Sequence, residues 1–365
     1  MGESINLSIE KNNNKRKDDM EKLQYSKNIV LMFPGQGSQY VGMLKNFIIN
    51  DRKYLRYFKT AEEIFNEKFL DIISGNADNT DNLKLNDTRY AQISIYTLSC
   101  VLNDYLSNEI GLSQNSIKYV IGHSLGDYSA LYSCGAYGFE TGAEIVSYRS
   151  KIMSQQSLKN ENLNQMGAQM GMAAVIGSDY KTIESVLKNY EGKVFIANYN
   201  EYNQIVLSGF KSELLEAIEK IKNIEAKKTI ILNVNVASHC PLMRDAAQKL
   251  NVFFETKNIK FNKLKYDFFS STCLKKIDNY QIKDMLVEQL VSPVRWVKSI
   301  ECIINEVNEL NAVKAFIEVG PGKVLSGLVK RILDFNNKKD ILIFNTDSLE
   351  EIEKIKEINF ISKKY

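Results

Sequence analysis

Short apolar runs alternate with longer amphipathic stretches along most of this chain. The runs Ile29–Phe33, Ile117–Ile121 and Ala315–Val319 are mainly apolar, which is typical of strands buried inside a sheet. Such an alternation of strand and helix patterns predicts an α/β fold. The stretches with helical periodicity begin near residue 41 and span about 55–75, 88–108, 140–156, 281–290 and 324–331.

The segment between residues 170 and 235 shows a different order of elements. Its pattern predicts β-α-β-β-α-β, which is the order of a ferredoxin-like unit. We therefore predict a small ferredoxin-like domain at 166–235, inserted into a larger α/β-hydrolase-like catalytic domain formed by 28–165 and 236–365. The predicted strands and helices of the insert cover residues 172–176, 180–189, 194–198, 203–208, 211–224 and 229–234.

The composition is that of an ordinary globular protein. The 365 residues carry a formal net charge of +3 and are 44% hydrophobic and 25% charged, so neither nucleic-acid nor membrane binding is indicated. The five cysteines are widely spaced, which indicates reduced thiols and no metal site. Residues 1–27 are polar and rich in Asn, Lys and Glu, so they are predicted to form a disordered N-terminal extension.

The sharpest chemical signal is Gly122–His123–Ser124–Leu125–Gly126, which lies between a predicted strand and a predicted helix. This Gly-x-Ser-x-Gly turn is the nucleophile elbow of serine enzymes. Glycine is needed at both ends because the turn is sharp and the helix packs closely against the strand. The pattern predicts Ser124 as a nucleophile, whereas an ordinary strand-to-helix turn is the alternative.

A serine nucleophile needs a base, and the chain contains only the two histidines His123 and His239. Neighbouring side chains on an elbow point in different directions, so we predict His239 as the base and a structural role for His123. A carboxylate could complete a triad, so a serine esterase or thioesterase remains the alternative function. The candidate acidic residues between the serine and the base are Asp179, Glu184 and Glu191.

Arg149 distinguishes the functional alternatives. It lies four residues before Met153 on a predicted helix, so both side chains share a face. A guanidinium binds a carboxylate through two parallel hydrogen bonds, so Arg149 is suited to an acyl chain that ends in a carboxylate. The alternative is a surface arginine in a salt bridge.

Six sequence motifs, in their order along the chain, resemble those of the malonyl-CoA:acyl carrier protein transacylases of type II fatty-acid synthesis. The resemblance extends over residues 28–335, and this family combines an α/β-hydrolase-like core with a ferredoxin-like insert. The motifs are Phe33–Pro34–Gly35–Gln36–Gly37–Ser38–Gln39, Gly122–His123–Ser124–Leu125–Gly126, Tyr148–Arg149, Ser238–His239–Cys240–Pro241–Leu242–Met243, Ser292–Pro293–Val294–Arg295–Trp296 and Glu318–Val319–Gly320–Pro321–Gly322–Lys323–Val324–Leu325.

The resemblance implies a role for each matching residue. Ser124 is acylated, His239 is its base and later its acid, and Arg149 binds the malonyl carboxylate. The remaining implied roles are an oxyanion hole from the backbone N–H groups of Gln36 and Leu125, orientation of the histidine by the main-chain carbonyl of Gln289, and cleft-lining positions at Met153 and Asn200. Ala237 and Asp127 stand where relatives often have proline and glutamate. Val236–Ala237–Ser238, before the histidine, lacks a bulky aromatic residue, so the choice between malonyl and methylmalonyl stays open.

The resemblance also implies the partners. The substrates are malonyl-CoA and the phosphopantetheine thiol of acyl carrier protein, and no cofactor or metal is expected. The protein is expected to be a monomer in a plastid-like organelle (apicoplast or plastid stroma) if a leader is removed, with the cytoplasm as the alternative. Carrier proteins of this family are acidic, so basic residues are candidates for docking them, namely Lys323, Lys330 and Arg331.

Overall fold

A computed structural model of the chain describes residues 28–45, 47, 52–76, 83–162, 169–305 and 312–361. The disordered extension predicted for residues 1–27 lies outside the described residues. The strands alternate with helices through most of the chain, so the predicted α/β class is confirmed.

The larger of two sheets has six strands in the order β10-β9-β1-β2-β7-β8. Its first five strands are mutually parallel, and only the last is antiparallel to its neighbour. The carboxyl ends of parallel strands form the edge of a sheet at which ligands bind in open α/β folds. The strands are β1 (Ile29–Phe33), β2 (Ile117–Gly122), β7 (Asp267–Ser270), β8 (Lys275–Lys276), β9 (Ala315–Glu318) and β10 (Leu342–Asn345).

Helices cover both faces of this sheet, and each face has its own apolar core. Phe33 and Val120 pack in one core, whereas Val30 and Ile121 pack in the other. This explains why the central strands carry near-continuous apolar runs. The helices of the larger domain are α1 (Arg52–Phe65), α2 (Leu70–Ser74), α3 (Thr88–Tyr105), α4 (Gly126–Ser133), α5 (Phe139–Asn162), α8 (Arg244–Thr256), α9 (Ile282–Gln289), α10 (Trp296–Asn305), α11 (Val324–Phe335) and α12 (Leu349–Ile361).

The second sheet has four antiparallel strands in the order β4-β5-β3-β6. Two helices pack on one face over a separate apolar core that includes Val175, Leu207 and Ile218. Along the chain its elements follow the order β-α-β-β-α-β. They are β3 (Met170–Ile176), α6 (Tyr180–Leu187), β4 (Val194–Glu201), β5 (Gln204–Phe210), α7 (Lys211–Ile224) and β6 (Lys228–Ile231).

Strand β4 connects the second sheet to the larger domain. The backbone N–H of Tyr199 donates to the Val294 carbonyl over 2.9 Å, and the Val294 N–H donates to the Ala197 carbonyl over the same distance. The Arg331 guanidinium on α11 also lies 3.0 Å from the Glu201 carboxylate. These contacts fix the position of the residues between them on β4, including Asn200.

Three local predictions are wrong for physical reasons. Residues 41–45 form turns and not a helix, because Gly42 adopts a left-handed φ of 81°. The helix predicted over 55–75 is broken after α1, where Asn66 has a φ of 60° and the buried Glu62 carboxylate accepts the Phe69 N–H over 2.9 Å. Helix α5 continues through residues 157–162, where a loop is predicted.

Among the described residues, no helix is both long and apolar enough to cross a membrane. The same residues contain no cluster of three or more His, Cys, Asp or Glu side chains suited to a metal ion. All five cysteines are free thiols.

Candidate active site

Ser124 occupies a strained turn between β2 and α4. Its φ is 55°, a left-handed conformation that costs free energy in a residue with a side chain. A Cβ at Gly126 would lie 1.9 Å from the Phe33 carbonyl oxygen, and a Cβ at Gly122 would lie 2.1 Å from the Asp127 nitrogen. Neither position can hold a larger residue without moving backbone, so the requirement for glycine at both ends of the elbow is confirmed.

The structure brings His239 against Ser124. The Nε2 atom of His239 lies 2.7 Å from the Ser124 Oγ, and its Nδ1 lies 2.8 Å from the main-chain carbonyl oxygen of Gln289. Because a carbonyl oxygen can only accept, Nδ1 carries the proton and Nε2 is free to take the serine proton. The acidic candidates for a triad lie in the second sheet's layer, where Asp179 caps α6 and Glu184 accepts the Tyr199 hydroxyl.

The surroundings keep His239 neutral. Burial, followed by the positive charge of Arg149, lowers the pKa of His239 to about 3. The neutral imidazole therefore persists at pH 7, which is the form that a general base requires.

Arg149 is buried beside the nucleophile, with 1% of its surface exposed. Its Nη1 donates to the Gln92 Oε1 over 2.6 Å, and its Nη2 donates to the Gln289 Oε1 over 3.2 Å and to the Ser124 Oγ over 3.4 Å. Its guanidinium carbon lies 5.3 Å from the centre of the Tyr128 ring. All three hydrogen-bond acceptors are neutral oxygens, and the buried Nε has no partner in the described part of the chain.

The loop after β1 packs directly on the elbow. A Cβ at Gly35 would lie 2.3 Å from the His123 carbonyl oxygen and 3.6 Å from the Leu125 nitrogen. Within the ranges that the structure covers, the backbone N–H groups of Gln36 and Leu125 donate to no other group. Two unused donors next to a serine are what an oxyanion hole requires.

The two candidate cleft positions contact other site residues. The Met153 sulfur lies 3.5 Å from the Nε2 of Gln92, the same side chain that accepts from Arg149. The Asn200 Oδ1 lies 2.9 Å from the Nε2 of His123. His123 also packs against Trp296, with ring centres 5.4 Å apart, and burial lowers the pKa of its imidazole. In the described part of the chain the His123 ring thus contacts Asn200 and Trp296, which favours a structural role.

Sequence reasoning missed two buried polar residues. Gln92 on α3 is fully buried and contacts both Arg149 and Met153. Asp127 is fully buried on the first turn of α4 and accepts a hydrogen bond from the Gln289 Nε2. Gln92 lies in no motif, whereas Asp127 directly follows the elbow, and that adjacency was the available signal.

The predicted docking residues differ in their surroundings. Lys323 and Lys330 are exposed on or before α11. Arg331 is exposed too, but it already pairs with Glu201 and donates to the Gln204 Oε1 over 3.3 Å. Arg331 therefore links helix α11 to the second sheet.

A serine on a strand–turn–helix elbow, hydrogen-bonded to a neutral histidine and flanked by unused backbone donors, defines an enzyme of serine acyl-transfer chemistry. Residues 30–344 match the family model described as the acyl transferase domain. The malonyl CoA-acyl carrier protein transacylase of Bacillus subtilis is 34% identical over 339 residues, which cover 91% of this chain and 98% of the relative. The chain belongs to the family of malonyl CoA-acyl carrier protein transacylases.

Other relatives agree with this assignment. The transacylase of Haemophilus influenzae is 33% identical over 326 residues, or 87% of this chain and 97% of the relative. A solved malonyl-transacylase, in complex with a type II PKS acyl-carrier protein, is 27% identical and superposes with a TM-score of 0.79. That match covers 91% of this chain and all of the solved chain.

Proposed function

We propose that this protein transfers the malonyl group from malonyl-CoA to the phosphopantetheine thiol of acyl carrier protein, through an ester on Ser124. The single observation that carries the proposal is the guanidinium of Arg149, buried 3.4 Å from the Ser124 Oγ with only neutral hydrogen-bond acceptors. An acyl chain that ends in a carboxylate supplies the missing anion. The product supplies type II fatty-acid synthesis.

The acylation half begins with the malonyl carboxylate on Arg149 and the thioester carbonyl at the backbone N–H groups of Gln36 and Leu125. His239 takes the Ser124 proton while the serine oxygen attacks the carbonyl carbon. The resulting oxyanion is stabilised by the two N–H groups. The tetrahedral intermediate then expels the coenzyme A sulfur, which leaves as a thiol with the proton from His239.

The transfer half reverses these steps with a different thiol. His239 takes the proton of the phosphopantetheine thiol, whose sulfur attacks the ester carbonyl. The ester bond to Ser124 breaks, and the serine oxygen recovers its proton from His239. The carbonyl of Gln289 keeps the imidazole oriented through both halves, in place of the carboxylate of a Ser-His-Asp triad.

A more specific assignment of the two domains is consistent with this chemistry. The strand order β4-β5-β3-β6 and the β-α-β-β-α-β sequence favour a ferredoxin-like insert at 166–235. A parallel sheet with a serine elbow favours an α/β-hydrolase-like core for 28–165 and 236–365. In this arrangement the insert contributes Asn200, and the core contributes the other site residues, including Met153.

The remaining assignments are proposals from the sequence. We expect a monomer that needs no cofactor or metal, since the chain's own groups supply each step, and chelator treatment should leave the rate unchanged. The proposed compartment is a plastid-like organelle, with the cytoplasm as the alternative. A fluorescent fusion to the full chain, compared with one that lacks residues 1–27, distinguishes the two.

Intact-mass measurement after brief incubation with malonyl-CoA tests the proposal. We expect one malonyl adduct on the parent protein, none on Ser124→Ala, and discharge of the adduct by acyl carrier protein. Free malonate that accumulates without product on the carrier would favour the esterase or thioesterase. Neither adduct nor malonate would contradict both functions.

A further inference from the structure

Asp127 is a buried acidic residue that the proposed transfer does not use. It lies three residues after Ser124 and is fully buried. One carboxylate oxygen accepts from the Gln289 Nε2, and the other has no partner among the described residues. Such a group is expensive to bury, and burial raises the pKa of Asp127 to about 8. A costly residue at this position requires an explanation.

Gln289 connects Asp127 to the rest of the site. Its Nε2 donates both to Asp127 and, over 2.8 Å, to the main-chain oxygen of Ser124. Its Oε1 accepts from Arg149 over 3.2 Å, and its main-chain oxygen accepts from His239 over 2.8 Å. One fully buried residue therefore contacts the nucleophile, the base and the guanidinium.

The chemistry of the amide makes Asp127 decisive for the orientation of Gln289. A side-chain amide has one donating end and one accepting end, which a half-turn exchanges. After such a turn the Gln289 Oε1 would face the main-chain oxygen of Ser124, which can only accept, and the present donation to Asp127 would be lost, while the NH₂ group would face the donors of Arg149. The acceptor on Asp127 thus keeps the Gln289 oxygen directed at Arg149.

We propose that Asp127 is a positioning residue that acts through Gln289 to hold the side chains of Arg149 and His239 in position next to Ser124. This inference rests on the proposed function, because the selectivity it supports is that for an acyl chain ending in a carboxylate. Loss of the acceptor frees the Gln289 amide to turn, which displaces Arg149. It also loosens the main-chain segment that orients His239.

Steady-state kinetics with malonyl-CoA and with acetyl-CoA test the proposal in Asp127→Ala and Asp127→Asn. We expect Asp127→Ala to lower kcat/KM for malonyl-CoA by about tenfold or more, the effect of leaving a buried amide donor without an acceptor. The increase in KM should be larger for malonyl-CoA than for acetyl-CoA, because Arg149 contacts only the former. Asp127→Asn retains an acceptor oxygen and should recover most of the loss.

Ser129→Ala is a matched control. Ser129 lies on the same helix, is fully buried, and has a hydroxyl without a partner in the described chain, so its removal probes the packing of α4 alone. We expect parent-like kinetics for this variant. An Asp127→Ala enzyme that only melts at a lower temperature, with the parent ratio of malonyl to acetyl transfer, would overturn the proposal. So would an Asp127→Asn variant as impaired as Asp127→Ala.

A second measurement separates this inference from the proposed function. Modification of Ser124 by a phosphonofluoridate, followed by intact mass, depends on His239 and needs no malonyl group. Asp127→Ala should slow this reaction, and Asp127→Asn and Ser129→Ala should not. A parent protein that reacts with the reagent but forms no malonyl ester would contradict only the transferase assignment, whereas equal reaction rates in all four proteins would contradict the role of Asp127.

Discussion

Replacement of Arg149 by alanine should destroy malonyl transfer and spare acetyl transfer. Arg149 has 1% of its surface exposed, and within the described residues its guanidinium donates hydrogen bonds to Gln92, Gln289 and Ser124. None of these acceptors carries a formal charge, so the malonyl carboxylate would be the direct ionic partner. An acetyl group has no carboxylate and does not use this contact.

The expected loss of kcat/KM follows from the burial of the ion pair between Arg149 and the malonyl carboxylate. Removal of one member of a buried ion pair costs about 3–5 kcal/mol, and about 1.4 kcal/mol corresponds to tenfold in rate. The variant should therefore lose about two to four orders of magnitude in kcat/KM for malonyl-CoA. Arg149→Lys keeps the charge but loses the planar fork, so its activity should lie between those of the parent and the alanine variant.

The assay is transfer to acyl carrier protein from malonyl-CoA and from acetyl-CoA under identical conditions, with thermal unfolding measured for each variant. Acetyl transfer is the internal control, because it requires the same serine, histidine and oxyanion donors. A fully folded Arg149→Ala protein that loses both activities equally would refute the assignment, since Arg149 would then serve only the shape of the site. Undiminished malonyl transfer would refute it more directly.

The charges of Arg149, Asp127 and two exposed lysines lead to three further predictions. Because the positive charge of Arg149 lowers the pKa of His239, Arg149→Gln should raise that pKa and move the acid limb of the acetyl-transfer pH profile to higher pH; an unmoved limb would contradict this. The pKa of Asp127 rises from 3.8 to about 8 on folding. Its contribution to the free energy of unfolding is therefore complete below pH 4 and declines as the pH rises toward 8. The melting temperature should fall less between pH 5 and 8 in Asp127→Asn than in the parent protein. Lys323→Glu and Lys330→Glu should slow transfer to the acidic carrier protein but not to a small thiol, and equal losses in both assays would remove the docking role.

The sequence predicts the central fold well because burial on both faces leaves a strong pattern. Strands β1, β2 and β9 are apolar along most of their length, and the order and spacing of strands and helices predict the small domain. Strand β10 was missed because its four residues are half-buried or exposed at the sheet edge. Helix α12 follows it, and neither element carries a motif. Edge elements take their structure from pairing with a neighbour, which local patterns do not encode.

In the site, too, local motifs reveal some residues, whereas the role of others depends on tertiary contacts. The elbow is a local motif, and the small number of histidines directs attention to His239. Gln92 has no such signal, and Asp127 has only its place directly after the elbow, because the importance of both comes from contacts with side chains 57 and 162 positions away. The orientation of His239 by a main-chain carbonyl is equally invisible to residue patterns, since any residue type carries that group, and only the resemblance pointed to Gln289.

The distribution of charge explains why a carbonyl and not a carboxylate orients this histidine. A permanent anion next to His239 would also lie close to Arg149 and would compete with the malonyl carboxylate for it. The carbonyl of Gln289 orients the imidazole without adding charge, and burial favours the neutral form of Asp127 near pH 7. Among the described residues Arg149 thus has no anionic hydrogen-bond acceptor, and its positive charge suppresses the basicity of His239. In the proposed reaction the malonyl carboxylate would neutralise that cation, so we expect the bound substrate also to raise the basicity of His239, the group that would take the Ser124 proton.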